Sequence, residues 1–226
     1  MNQFKVADIR NSFCNLLQRG EFVIDKTGVK TVEIIGTSFI ADESTIFGVV
    51  NLDYVNRELS WYKSMSLNVN DIPGNTPQIW TAVADHDGFI NSNYGWAIWH
   101  KDNYYQYNHC IAELKSNRDS RRATMIYTRP KMWLDFNKNG RSDFMCTNAV
   151  QYLIRDNRVH AIVQMRSSDA IFGYKNDLAW HKYILESVAR DVNCSVGDII
   201  WHAGSLHVYS RHFDLIKDSK KHDRSS

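Results

Sequence analysis

The sequence predicts a single α/β domain, on three observations. Its 226 residues, 43% hydrophobic and with seven tryptophans, suit one globular domain with a full core. Val6 to Arg19 and Asp177 to about Val192 place apolar residues at helical spacing. Between them, Ala149 to Ile154 and Val159 to Met165 are two β-prone runs separated by a turn at Asp156-Asn157-Arg158.

The first helix presents Ile9, Phe13, Leu16 and Leu17 on one face, with Gly20 placed to end it, and reads as a packing element. Strand character begins at Phe22 to Ile24, breaks at Asp25 to Lys30, and resumes over Thr31 to Ile35 and Thr37 to Ile40. The Lys26-Thr27-Gly28 step in that break reads by itself as a hairpin turn. Asn56 to Lys63 reads as a helix with Leu59 and Trp61 toward the core, and Glu58 by itself as solvated surface. Pro73 to Pro77 is a loop leading to Gln78-Ile79-Trp80, where a tryptophan alone reads as core. Asp102 is placed to cap a helix running to about Lys115, with Tyr104, Tyr105 and Tyr107 as packing or surface. The adjacent Arg121 and Arg122, before a strand over Ala123 to Thr128, read by themselves as surface charge.

Asp135 to Gly140 fits the first half of a calcium loop, but Cys146 stands where the bidentate glutamate belongs. A hairpin-like polar loop with no bound metal is the expectation. The second β-run stops at Arg166-Ser167-Ser168-Asp169, and a glycine-containing loop leads to the helix that starts at Asp177. Asp177 then reads as a carboxylate favourable to the helix N-terminus. Asp198 to Trp201 is a further strand, and in the segment after it His207 and Tyr209, two residues apart, point to one face. Composition turns polar beyond Ile216, leaving 217–226 as a tail.

Composition also narrows function. No apolar run approaches the roughly 18 residues of a membrane span, and the N-terminus lacks the basic-then-apolar plan of a signal peptide, so a soluble intracellular protein is expected. The four cysteines are scattered without zinc spacing or a disulfide framework. A net charge of +2 does not point to direct DNA binding, though it is compatible with small anions held by a few arginines. Chemistry concentrates in one stretch, where a thiol, a guanidinium, two hydroxyls and two carboxylates lie near the ends of paired strands. Cys146 taken alone reads as a small buried hydrophobe.

The whole stretch changes that reading. Met145 to Trp180, MCTNAVQYLIRDNRVHAIVQMRSSDAIFGYKNDLAW, resembles the core of the thymidylate synthase family, and the likeness extends from about Phe22 to His212. The resemblance implies a large mixed β-sheet flanked by helices and a homodimer formed through the sheet. It implies Cys146 as nucleophile, with the Arg166 guanidinium raising its thiolate fraction. Arg166, Ser167 and Lys26 would bind substrate phosphate, Lys26 replacing the family's arginine fork with a point charge. Arg121 and Arg122 would reach the phosphate in the partner's active site, where a guanidinium can meet two oxygens at once. His207 and Tyr209 would hold the sugar hydroxyl, Glu58 would move protons through water, and Tyr94 would carry or relay a proton. Trp80, Asp169 and Gly173 match folate-side positions.

Asp177 matches the position that reads the base. Synthases carry asparagine there, whose amide suits uracil, whereas an aspartate can accept from the amino group of cytosine and support protonation of ring nitrogen 3. The resemblance therefore implies 5-hydroxymethylation of dCMP with 5,10-methylenetetrahydrofolate and water, in the cytoplasm of a phage-infected bacterium. Methylation of dUMP, and a non-catalytic nucleotide- or RNA-binding regulator, are the alternatives. Met145, Thr147 and Ser205 replace the proline, histidine and aspartate usual in synthases. The sequence ends at Ser226 without the longer segment by which relatives close over folate, so closure is expected to differ while the nucleotide site is untouched.

Overall fold

The computed structural model describes residues 4–25 and 28–222. Lys26, assigned above to phosphate, lies outside the described residues. Six strands, β1 (Val23–Ile24), β2 (Lys30–Ile40), β3 (Thr124–Ile126), β4 (Thr147–Arg155), β5 (Arg158–Asp169) and β6 (Ser195–Tyr209), form one sheet in the order β1-β2-β6-β5-β4-β3. Among the described residues eight helices accompany it: α1 (Val6–Arg19), α2 (Leu52–Ser64), α3 (Gln78–Val83), α4 (Tyr94–Trp99), α5 (Gln106–Ser116), α6 (Met132–Asp135), α7 (Gly173–Asp191) and α8 (Phe213–His222). The sheet is mixed, as expected, because β5 and β6 run parallel while the other neighbouring pairs are antiparallel.

That one parallel pair positions the site. With α7 as the crossover, β5 and β6 end at the same edge of the sheet, where Ser167 pairs with Ser205 and Asp169 with His207. β4 is antiparallel to β5 and so begins at that edge, directly after Cys146. Ligands of sheets with parallel strands gather at such carboxyl ends. The β4–β5 hairpin is tight because Asp156 and Asn157 both adopt left-handed conformations (φ 49 and 57), giving a two-residue turn that pairs Arg155 with Arg158.

Several boundaries differ from the sequence reading, each for a local reason. β5 continues through Arg166 to Asp169 because β6 supplies partners there. β2 is unbroken, Gly36 taking φ 67 between paired residues. α2 starts at Leu52, where the Asn51 side chain accepts from Tyr54 N. Asp102 does not cap α5: it lies in a short 3-10 turn whose entry is capped by His100, and left-handed Tyr104 and Tyr105 intervene before Gln106. In place of a hairpin-like loop, 135–140 holds the end of α6 and a 3-10 turn over Lys138–Gly140. The polar tail enters α8, which buries Ile216. Most important, α7 starts at Gly173, so Asp177 sits one turn inside the helix rather than at its cap.

The core is strongly aromatic. Trp61, Trp180, Trp201, Tyr127 and Tyr152 are fully buried, and α7 covers β5 and β6 with Trp180, Ile184, Leu185 and Val188. Ring contacts Tyr62–Trp180 (5.2 Å), Tyr62–Tyr94 (5.1 Å), Trp99–Trp180 (5.4 Å) and Trp61–Trp80 (5.0 Å) tie α2, α3, α4 and α7 together. Each such pair adds about 0.5–1.5 kcal/mol beyond the area it buries. This aromatic cluster fixes the helices that carry Glu58, Tyr94 and Asp177. Among the described residues no helix is long and apolar enough to cross a membrane.

Candidate active site

Cys146 opens onto a cleft of about 310 Å³ that also exposes Glu58, Trp80, Tyr94, Arg166, Gly173 and Asp177. Its sulfur is reached from the end of β5: Arg166 N donates to Cys146 O (2.9 Å), and Arg166 Nη2 lies 3.8 Å from Sγ. The guanidinium is held in place by the carbonyls of Met145 (2.9 Å) and Phe144 (2.5 Å). The segment ahead of the thiol is anchored by buried Asp143, which accepts from Asn91 N (2.6 Å) and Ser92 Oγ (2.7 Å). Burial pushes the thiol up to about 12, the Asp177 charge adding to the rise and Arg166 opposing it. The expected effect of Arg166 is therefore present in direction but outweighed by desolvation, and the resting sulfur is a neutral thiol.

Two carboxyls face the same cleft. Glu58 Oε1 accepts from Tyr54 OH (2.8 Å) and Trp80 Nε1 (3.1 Å), and burial raises its pKa from 4.5 to about 7 against those two hydrogen bonds. Glu58 is thus buried and pre-oriented, unlike the solvated glutamate its sequence context describes. Asp177 Oδ1 accepts from Tyr94 OH (3.0 Å), and burial followed by the Glu58 charge raises its pKa from 3.8 to about 8. Thr147, which interacts with Tyr94, donates its hydroxyl to Met165 Sδ (3.3 Å) and lies 3.3 Å from Nε2 of buried His181. Burial pushes His181 down to about 3, so this imidazole is neutral. Neutral groups thus surround the Asp177 carboxyl on this side, and Tyr94 OH is the one that donates to it.

The β5–β6 edge carries the remaining polar groups. Ser205 Oγ bonds Glu33 and lies 3.3 Å from His207 Nδ1, and burial lowers the pKa of His207. His207 and Tyr209 rings contact edge-to-face at 5.0 Å. Asp169 Oδ1 accepts from Ile171 N (2.7 Å), bending the chain from β5 toward α7. Ser167, Asp169, His207 and Tyr209 belong to this edge and do not line the cleft itself. Arg121 and Arg122 stand apart from both: Arg122 pairs with Glu113 (2.9 Å), and the Arg121 carbonyl accepts from Gln151. Arg122 borders a separate, larger groove of about 600 Å³ between α5 and β3, away from the thiol.

Three residues were missed in the sequence. Tyr54 escaped because the helix was started at Asn56, which hid its i,i+4 relation to Glu58. Glu33 sits opposite His207 through β2–β6 pairing, a non-local register that no spacing discloses. Asp143 works through Asn91 and Ser92, about fifty residues away in the chain. Among the described residues no group of three His, Cys, Asp or Glu side chains is placed to hold a metal ion.

A half-buried thiol beside an arginine, faced by two protonatable carboxyls, suits covalent attack with proton transfer. The thymidylate synthase family model matches residues 10–225, and the chain belongs to that family. Within it, the chain is 59% identical over 218 residues to the deoxycytidylate 5-hydroxymethyltransferase of Enterobacteria phage T4, covering 93% of this chain and 89% of that protein; the phage T2 enzyme is equally similar. The thymidylate synthase of Francisella tularensis subsp. holarctica is 26% identical over 216 residues, covering 89% of this chain and 79% of that protein.

Proposed function

We propose that this chain is a deoxycytidylate 5-hydroxymethyltransferase, converting dCMP, 5,10-methylenetetrahydrofolate and water to 5-hydroxymethyl-dCMP and tetrahydrofolate. The observation that carries the choice of base is Asp177: a half-buried carboxyl on the cleft wall, oriented by Tyr94, whose pKa of about 8 keeps it protonated at neutral pH. As a neutral acid it donates to ring nitrogen 3 of cytosine and accepts from the 4-amino group. When Cys146 sulfur bonds to carbon 6, the electron pair of the 5,6 double bond moves through carbon 4 to nitrogen 3. Asp177 gives its proton to that nitrogen, and the thiol releases its own proton through cleft water to solvent as the sulfur–carbon bond forms. Carbon 5 is then an enamine carbon able to attack.

Bound 5,10-methylenetetrahydrofolate supplies the one-carbon unit. The cleft mouth suits such a flat, partly apolar molecule, with Ile79 and Phe172 at 62% and 50% exposure beside Trp80. A Cβ on Gly173 would sit 3.4 Å from Asp169 Cβ and 3.8 Å from Asp177 Oδ2, filling space next to the base-reading carboxyl. Trp80, Phe172, Gly173 and the Asp169 turn are the residues that would hold it. Carbon 5 bonds to that one-carbon unit, and loss of the carbon 5 proton with departure of tetrahydrofolate leaves an exocyclic methylene, to which water adds. Glu58, titrating near 7, accepts the proton of that water, nitrogen 3 returns its proton to Asp177, and the thiolate leaves carbon 6 to restore the aromatic base.

Substrate phosphate falls to Arg166 and Ser167 with Lys26, and the sugar to His207 and Tyr209. Arg121 and Arg122 reach the phosphate of the partner subunit in a homodimer formed through the sheet. In support, Ile162 and Ile200 are cross-strand partners left half-exposed in one chain, and Arg121 is exposed. The reading places the enzyme in the cytoplasm of a phage-infected bacterium. It is tested by mass analysis of the nucleotide formed from dCMP or dUMP with methylenetetrahydrofolate. Hydroxymethylated dCMP is the expected product; thymidylate from dUMP, or nucleotide binding without turnover, would overturn the proposal.

A further inference from the structure

We infer that Tyr54 is a positioning residue that fixes which oxygen of Glu58 works in the cleft. The inference rests on the reading of Glu58 as the group that accepts a proton from the attacking water. Tyr54 and Glu58 are one helical turn apart on α2, so their side chains share a face. Tyr54 OH (2.8 Å) and Trp80 Nε1 (3.1 Å) both donate to the same atom, Oε1. With two donors on it, Oε1 is an acceptor only, and the proton of the neutral acid resides on Oε2. Oε2 is then the atom left to meet water. Burial and the adjacent Glu58 charge raise the Tyr54 phenol pKa, so Tyr54 remains a donor throughout the working range.

The arrangement does two things. It pins the carboxyl plane, which α2 alone leaves free to rotate about its last torsion. It also stabilises the carboxylate, offsetting part of the burial that makes Glu58 a weak acid. Glutamate supplies the chemistry; Tyr54 and Trp80 supply its direction and its poise.

The test is Tyr54→Phe, which removes the donor and keeps the ring. The acid limb of the pH profile for 5-hydroxymethyl-dCMP formation should move upward by about one to two pH units. KM for dCMP should stay within about twofold, because Tyr54 is assigned no contact with the nucleotide. The ratio of variant to wild-type activity, depressed at low pH, should approach one on the alkaline limb, which Asp177 governs in both. A loss that is uniform across pH, or an unmoved acid limb, would overturn the inference. Infrared titration of the protonated carboxyl band that disappears in Glu58→Gln needs no turnover. Its midpoint should rise in Tyr54→Phe, and an unchanged midpoint overturns the inference whatever reaction the protein catalyses. Absence of hydroxymethyl-dCMP from the wild-type protein would instead overturn the reaction assigned above. If Tyr54→Phe fails to fold, Trp80→Phe removes the second donor from the same oxygen and should move the titration in the same direction.

Discussion

Replacing Asp177 by asparagine conserves volume and keeps an oxygen for Tyr94 to bond, yet removes the acid that protonates nitrogen 3 of cytosine. Asp177 is half-buried at the cleft wall and held 3.0 Å from Tyr94 OH, which keeps the new amide in the same place. Loss of a positioned general acid costs about 10²–10⁴-fold in turnover of dCMP. With dUMP, the amide donates to the carbonyl at carbon 4 and accepts from the N–H of nitrogen 3, a pairing that the neutral acid also offers, so little is lost or gained there. Preference should therefore move toward dUMP by the loss on dCMP alone, at least about 100-fold. The assay is kcat/KM for each nucleotide, measured separately with methylenetetrahydrofolate. An unchanged ratio would refute the reasoning and reduce Asp177 to a structural carboxyl.

Cys146→Ser should abolish product formation while dCMP affinity, read by calorimetry, changes by less than about threefold; near-normal turnover would remove the thiol from the reaction. The wild-type pH profile should be a narrow bell, with Glu58 ionising near about 7 on the acid side and Asp177 losing its proton near about 8 on the alkaline side. A plateau reaching pH 10 would contradict the role given to Asp177. Both carboxyls titrate higher in the folded chain than unfolded, so between those values the folded state binds more protons and stability falls as pH rises. Glu58→Gln should therefore raise the melting temperature at pH 8 by a few degrees and leave it unchanged near pH 4. Finally, Cys146→Ser and Arg122→Ala chains, each inactive, should recover about a quarter of wild-type activity when mixed and reassembled, because half the dimers then carry one complete site. No recovery would sink the shared site.

The sequence disclosed the local parts of this fold and lost the non-local ones. α1 could be read to the residue because its periodicity and Gly20 cap are contained in one window. The β4–β5 hairpin was legible for the same reason, its two-residue turn being set by Asp156 and Asn157. The starts of α2 and α7 were not. Each lies in a segment whose helical state is fixed by packing on the aromatic cluster, and each error changed the meaning of a site residue. Starting α7 at Asp177 made a half-buried acid look like a cap; starting α2 at Asn56 concealed Tyr54. Cys146, Glu58, Tyr94, Arg166 and Asp177 were named from resemblance and do meet in one cleft. Their protonation states were illegible, since desolvation depends on every neighbour in space.

The most direct measurement is the mass of the nucleotide formed when purified protein meets dCMP and methylenetetrahydrofolate, with dihydrofolate followed by its ultraviolet absorbance. The account predicts 5-hydroxymethyl-dCMP with no dihydrofolate, because water rather than hydride completes the reaction. Thymidylate made from dUMP in the parallel reaction, accompanied by dihydrofolate, would contradict it.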